Sequence, residues 1–83
     1  MDEESLFKGL CTLLRTKERL DRAELSLARE YGTLSEVEGV RKEYNDLKEK
    51  IKKTLDGLSL ETANTLCFAA QHAVQMERIG YGI

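Results

Sequence analysis

The first candidates for chemistry are the cysteine and histidine side chains, and there are three of them: Cys11, Cys67 and His72. A catalytic nucleophile needs a base within hydrogen-bond reach, and no pattern in the sequence places a nucleophile and an acid around His72. Cys67 and His72 are five residues apart, so on a helix their side chains diverge by about 140° and cannot share a metal ion by themselves. Cys11 joins them only if the fold brings it there, and a fourth ligand is not evident. We therefore expect a protein that is not an enzyme and that binds no metal or cofactor.

The two cysteines lie among apolar neighbours, which favours reduced, buried thiols in a cytoplasmic protein. The alternative is a disulfide that joins the first predicted helix, which contains Cys11, to the third, which contains Cys67. No charged residue that would activate a thiolate adjoins either cysteine. Both thiols are therefore expected to react slowly with a polar reagent in the native state.

The second candidate is a basic patch formed by Lys48, Lys50, Lys52 and Lys53. Such a cluster could bind an acidic partner or a phosphate backbone, but Glu49 is interleaved with it. Residues 33–57 carry six acids and six bases, and the whole chain has a net charge of −2. Duplex-binding domains usually have a strong positive excess, so the sequence favours a solvated helix face near a C-terminal dipole.

A helix-turn-helix motif is the third candidate, because residues 55–66 contain a glycine followed by a serine between two apolar segments. Lys52, Lys53 and Asp56 occupy positions that this motif needs small or apolar. The helix that would read the bases has no basic residue before Arg78. The sequence therefore disfavours DNA recognition.

The elements that position these residues are predicted to be helices in one domain, residues 1–83. The chain contains no proline and few valines or isoleucines, which favours an all-α fold over a sheet. No segment approaches the roughly 20 apolar residues of a membrane span, and the acidic N-terminus does not look like a signal peptide. At this size a single core is only marginally sufficient, and a partner often supplies further stability.

The first helix is predicted over about residues 2–31, with acids at its start that favour the helix dipole. Its apolar line repeats every seven residues, with two further apolar residues at intermediate positions: Leu6, Leu13, Leu20 and Leu27, with Leu10 and Tyr31. A parallel leucine zipper is one interpretation, but Lys17 and Glu24 occupy the alternate seam positions. An intramolecular seam is the preferred interpretation.

A turn after the first helix is predicted from Gly32, as a left-handed C-cap, and from Thr33 and Ser35 as N-caps. The second helix is predicted over about residues 35–56. Its apolar positions follow 3-4 spacing: Val37, Val40, Tyr44, Leu47, Ile51 and Leu58. Because the connection is short, the two long helices should form an antiparallel, coiled-coil-like hairpin.

The third helix is predicted over about residues 60–79, after Gly57 and the N-cap Ser59. Residues 62–75 carry no formal charge, although 34% of the chain is charged. At 100° per residue, one apolar face consists of Ala63, Leu66, Cys67, Ala70, Ala73 and Val74, and a second consists of Phe68, Ala69, His72, Met76 and Ile79. A helix apolar on two sides is normally buried on both, so we expect it to pack back on the hairpin along the first half of helix 1.

Two antiparallel helices can cover only one side of a third helix, so the second apolar face should remain exposed. This exposure points to a role in binding. We expect a non-catalytic protein-binding module, such as an adaptor, chaperone subunit or inhibitor, that binds through Phe68, His72, Met76 and Ile79. One alternative is a structural homo-oligomer in which this face binds a second copy. Another is a small regulator that contacts nucleic acid through Lys48–Lys53.

Overall fold

The computed structural model describes residues 2–79, which form three α-helices and no strand. Helix α1 spans Glu3–Ala28, α2 spans Leu34–Asp56 and α3 spans Leu60–Arg78. The predicted all-α fold is confirmed, and the predicted bounds differ from these by no more than three residues. The predicted helix stop and tail at Gly80, Tyr81 and Gly82 lie outside the described residues.

Each helix begins at a side chain that accepts a hydrogen bond from a backbone N–H of the first turn, which satisfies a donor without an intrahelical partner. The three caps, with the N–H donor and the donor–acceptor distance, are Asp2 (Ser5, 2.7 Å), Thr33 (Glu36, 3.2 Å) and Ser59 (Thr62, 3.2 Å). The predicted N-caps Thr33 and Ser59 are thus in place, whereas Ser35, also predicted as an N-cap, lies inside α2. The bond from the Ser5 N–H also lowers the pKa of the Asp2 carboxyl.

The end of α1 differs from the prediction. Glu30, with a φ of 67°, is the left-handed residue, and Gly32 is not. The N–H groups of Glu30 and Tyr31 donate to the carbonyls of Leu27 and Ser26 at 3.0 and 2.8 Å, which is the Schellman pattern. Gly32 is needed for a different reason, because a Cβ there would lie 3.2 Å from the Leu27 backbone nitrogen. The helix therefore ends earlier than predicted, and Tyr31 is 86% exposed instead of extending the leucine line.

The central helix is α1, which packs against both α2 and α3, whereas α2 and α3 touch each other at few positions. Ion pairs Arg19–Glu43 (3.1 Å) and Glu24–Arg41 (3.6 Å) join α1 to α2 in antiparallel order. The predicted hairpin, with α3 packed back on it along the first half of α1, is confirmed. Because its neighbours lie on different sides of α1, the molecule is flat, measuring 43 × 34 × 16 Å.

The buried apolar residues form two clusters along α1. The three-helix core contains residues from all three helices: Leu6, Leu10, Cys11, Ile51, Ala70 and Val74. The hairpin core contains residues of α1 and α2 alone: Leu20, Ala23 and Val37, with Leu27, Val40 and Tyr44 packed against them. The leucine line is thus used within one chain, as the intramolecular interpretation expects.

A paired substitution tests the turn after α1. Replacing Glu30 by Gly should raise the free energy of unfolding by about 0.5–1 kcal/mol, because relief of the left-handed strain exceeds the backbone entropy cost of glycine. Replacing Gly32 by Ala should instead lower it by roughly 1 kcal/mol, since the new methyl group meets backbone. Urea titrations of both variants measure these changes. The reverse order of stabilities would contradict this assignment of the turn.

Leu20→Ala tests the hairpin core, since Leu20 is 5% exposed. The substitution should lower the free energy of unfolding by about 2–5 kcal/mol, the range for a buried large-to-small change. Leu25→Ala is the matched control on the same helix, because Leu25 is 50% exposed. A loss below about 0.5 kcal/mol for Leu20→Ala would show that the leucine line is not core.

Candidate functional site on the outer face of α3

The inner face of α3 is the surface that packs on α1. Ala70 is fully buried and Val74 is 6% exposed. The remaining residues predicted for this face are all half-buried: Ala63, Leu66, Cys67 and Ala73. The sulfur of Cys11 lies 4.0 Å from the Ala70 carbonyl oxygen, so α3 directly covers this part of α1. The small side chains allow this close approach.

The C-terminal end of α3 is tied to α1 by two ion pairs that the sequence analysis did not predict. Arg15 binds both carboxylate oxygens of Glu77, with an Nε–Oε2 distance of 3.1 Å. Arg78 binds Glu18 in the same region. The hydrogen bonds from Arg15 lower the pKa of the Glu77 carboxyl, and the same bonds raise the pKa of Arg15. These pairs favour one position of α3 along α1.

The outer face of α3 consists of Phe68, Ala69, His72, Met76 and Ile79. Phe68 is 73% exposed and Ile79 is 71% exposed; Ala69 and His72 are also exposed, and Met76 is half-buried.

Thr65 lies on the same side of α3, and its hydroxyl donates to the Glu61 carbonyl at 2.9 Å. This side of the helix also carries the exposed polar residues Glu61 and Gln75, seven residues before and after Phe68, so its apolar side chains are interspersed with polar ones.

The physical reason for this exposure is that α1 covers one side of α3 while α2 barely reaches it. Helix α1 lies against the opposite side of α3, at Ala70 and Val74, and does not bend around to cover the outer face. The C-terminal tail, residues 80–83, lies outside the described residues. Exposed apolar side chains grouped on one face of a helix mark interaction surfaces more often than scattered ones do.

The four lysines of the candidate basic patch are all exposed, but helical geometry divides them between two sides of α2. Lys48 lies over the Tyr44 ring at 5.8 Å, on the side shared with Lys52. Lys50 and Lys53 lie on another side, where Lys53 pairs with Glu49 at 3.8 Å. Binding of an acidic partner by these residues stays a prediction, and no continuous basic surface supports it.

The thiols and the imidazole do not form a cluster. Cys11 and Cys67 are both free, and burial raises the pKa of the Cys11 thiol. Within residues 2–79, no group of three cysteine, histidine or acidic side chains is arranged to hold a metal ion. No helix in this range has the length and apolar content needed to cross a membrane.

Three further large apolar residues, named the hairpin tip, are also exposed: Leu25, Tyr31 and Leu34, at 50%, 86% and 58%. The sequence pattern did not predict these exposed residues, because Tyr31 continues the spacing of the leucine line. Two features of the sequence could have indicated this exposure. Leu25 lies outside the heptad positions, and Leu34 precedes the predicted start of α2. This tip lies around the turn between α1 and α2.

No protein-family model, curated protein or solved structure matches this chain. A functional assignment therefore depends on the geometry of these surfaces.

Lowering the pH should destabilise the protein through Glu77. Because its pKa is lower in the folded state, the unfolded state binds more protons as the pH falls. The contribution of Glu77 is fully present above its ordinary pKa of 4.5 and is lost as the pH falls through its lower folded-state value. Thermal unfolding between pH 6 and about pH 3 should show this loss, and Glu77→Gln should reduce the pH dependence. An equally steep dependence in Glu77→Gln would contradict this role of the Arg15–Glu77 pair.

Proposed function

We propose that the protein is a non-catalytic protein-binding module that uses the outer face of α3 to cover a surface on a larger protein. An adaptor, a chaperone subunit or an inhibitor would act in this way. The observation that carries the proposal is Phe68, which is 73% exposed on a helix whose opposite face is buried. Large aromatic side chains are frequent anchors of protein interfaces.

The size of the face indicates what kind of partner it fits. A helix of 19 residues is about 28 Å long and about 10 Å wide, so one side presents a small footprint. Specific interfaces bury about 800 Å² on each partner, which a helix lying on a flat surface does not reach. An apolar groove encloses more of the helix, and the spacing of Phe68, His72, Met76 and Ile79 suits this mode. We therefore propose a partner with an apolar groove.

Self-assembly is the second candidate function, and the hairpin tip is the observation that favours it. The tip and the outer face of α3 are separate apolar surfaces, so the tip of one copy could pack on α3 of another. Contacts between two different surfaces generate rings or filaments. Light scattering over a wide concentration range tests this candidate, since a chain that stays monomeric at high concentration contradicts it.

Phe68→Asp tests the binding face. Because the side chain is exposed, helical content and melting temperature should change little, in keeping with effects below about 0.5 kcal/mol at surface positions. Affinity for the partner should fall at least about 30-fold, since a charge would be buried at the anchor position. Gln71→Asp is the matched control, because it adds the same charge to an exposed polar position of the same helix.

The measurement is capture from native lysate on the immobilised wild type and both variants, followed by affinity measurement with the purified captured protein. We expect a partner that binds the wild type and the Gln71→Asp variant but does not bind the Phe68→Asp variant. If Phe68→Asp unfolds the chain, Phe68 is part of the core. If the folded variant binds as well as the wild type, the binding face lies elsewhere.

A further inference from the structure

Within residues 2–79, helix α3 packs extensively on one helix only, α1. It packs on α1, makes few contacts with α2, and is joined to α2 by Gly57, Leu58 and Ser59. The hairpin core contains no residue of α3. The half of the hairpin that this core stabilises therefore keeps its apolar contacts whether or not α3 is in place.

The contacts that keep α3 on α1 are also modest. Three of the six inner-face residues are alanines, so each buries little apolar surface. The two ion pairs at the C-terminal end, Arg15–Glu77 and Glu18–Arg78, are partly exposed to solvent. Ion pairs of this kind contribute little each and are weakened by salt.

We propose that α3 undocks from α1 as a unit while the α1–α2 hairpin stays folded, and that these two ion pairs stabilise the docked state. Local opening of a cooperative segment needs less free energy than global unfolding, and the segment with the fewest partners opens first. Undocking exposes the inner face of α3 in addition to its outer face, so a groove can enclose the released helix. The proposal does not depend on the function of the outer face.

Cys11 provides a direct measure of undocking. It is 4% exposed, and its sulfur contacts the Ala70 carbonyl of α3. While α3 is docked, a polar thiol reagent has no access to it. When α3 leaves, the thiol becomes accessible even though α1 remains helical.

The experiment measures the rate at which such a reagent labels Cys11 in the full chain, with Cys67→Ser making Cys11 the sole thiol. Labelling should be faster than global unfolding allows and should depend less on urea, because less surface is exposed. High salt should accelerate it. Glu77→Gln should accelerate it about two- to fivefold, the range for one exposed ion pair. Glu49→Gln is the control, because Glu49 pairs with Lys53 within α2.

Leu27→Ala separates undocking from global unfolding, because Leu27 packs on the hairpin core. It should lower global stability and leave the Cys11 labelling rate unchanged. The proposal is overturned if Leu27→Ala accelerates labelling by as much as it shifts the unfolding equilibrium, or if salt and Glu77→Gln have no effect. If Cys67→Ser does not fold, hydrogen exchange of the wild type decides instead. The backbone amides of α3 must then exchange with a lower opening free energy than those of the hairpin core.

Discussion

The structure depends on α1, the one helix within residues 2–79 that packs extensively on both of its neighbours. Its surface carries two apolar stripes. The leucine line faces α2, whereas Phe7, Cys11 and Leu14 widen the apolar surface toward α3. The second stripe gives way to charged residues at Glu18 and Asp21, and the ion pairs to Glu77 and Arg78 lie where it ends. This division places α3 on the first half of α1 and leaves the second half to the hairpin core.

A helix that is apolar on two sides needs two neighbours, and within the described residues α3 packs extensively on one. Its inner face is small and packs closely on α1, while its outer face retains Phe68 and Ile79 in solvent. Such exposure costs free energy that a monomeric protein of this size has little means to offset, because small domains bury a small fraction of their surface. The proposed binding role explains why the outer face is apolar, and binding would remove this cost.

Charged residues contribute to this molecule mainly by setting the positions of the helices. The pairs Arg19–Glu43 and Glu24–Arg41 lie across the hairpin seam, and Arg15–Glu77 lies across the α1–α3 contact. All are partly exposed, so each adds little stability. They nevertheless favour one register, because a shift by one helical turn would separate every pair.

Local patterns in the sequence determined the three helices, their N-terminal caps at Thr33 and Ser59, and the inner face of α3, because each depends on residues within one or two helical turns. The exposure of Phe68, which follows from the number of helices that can cover α3, was also predictable. The tertiary structure alone decided the rest. Periodicity does not show that α2 stays clear of α3, since that depends on where the stripes of α1 end relative to both neighbours. The left-handed residue proved to be Glu30 and not Gly32, because the hydrogen bonds that end α1 place Glu30 at the left-handed position. Gly32 instead lies where the chain passes close to the Leu27 backbone. Ion pairs between residues some 60 positions apart, such as Arg15–Glu77, depend on how α3 lies along α1, which no local pattern encodes.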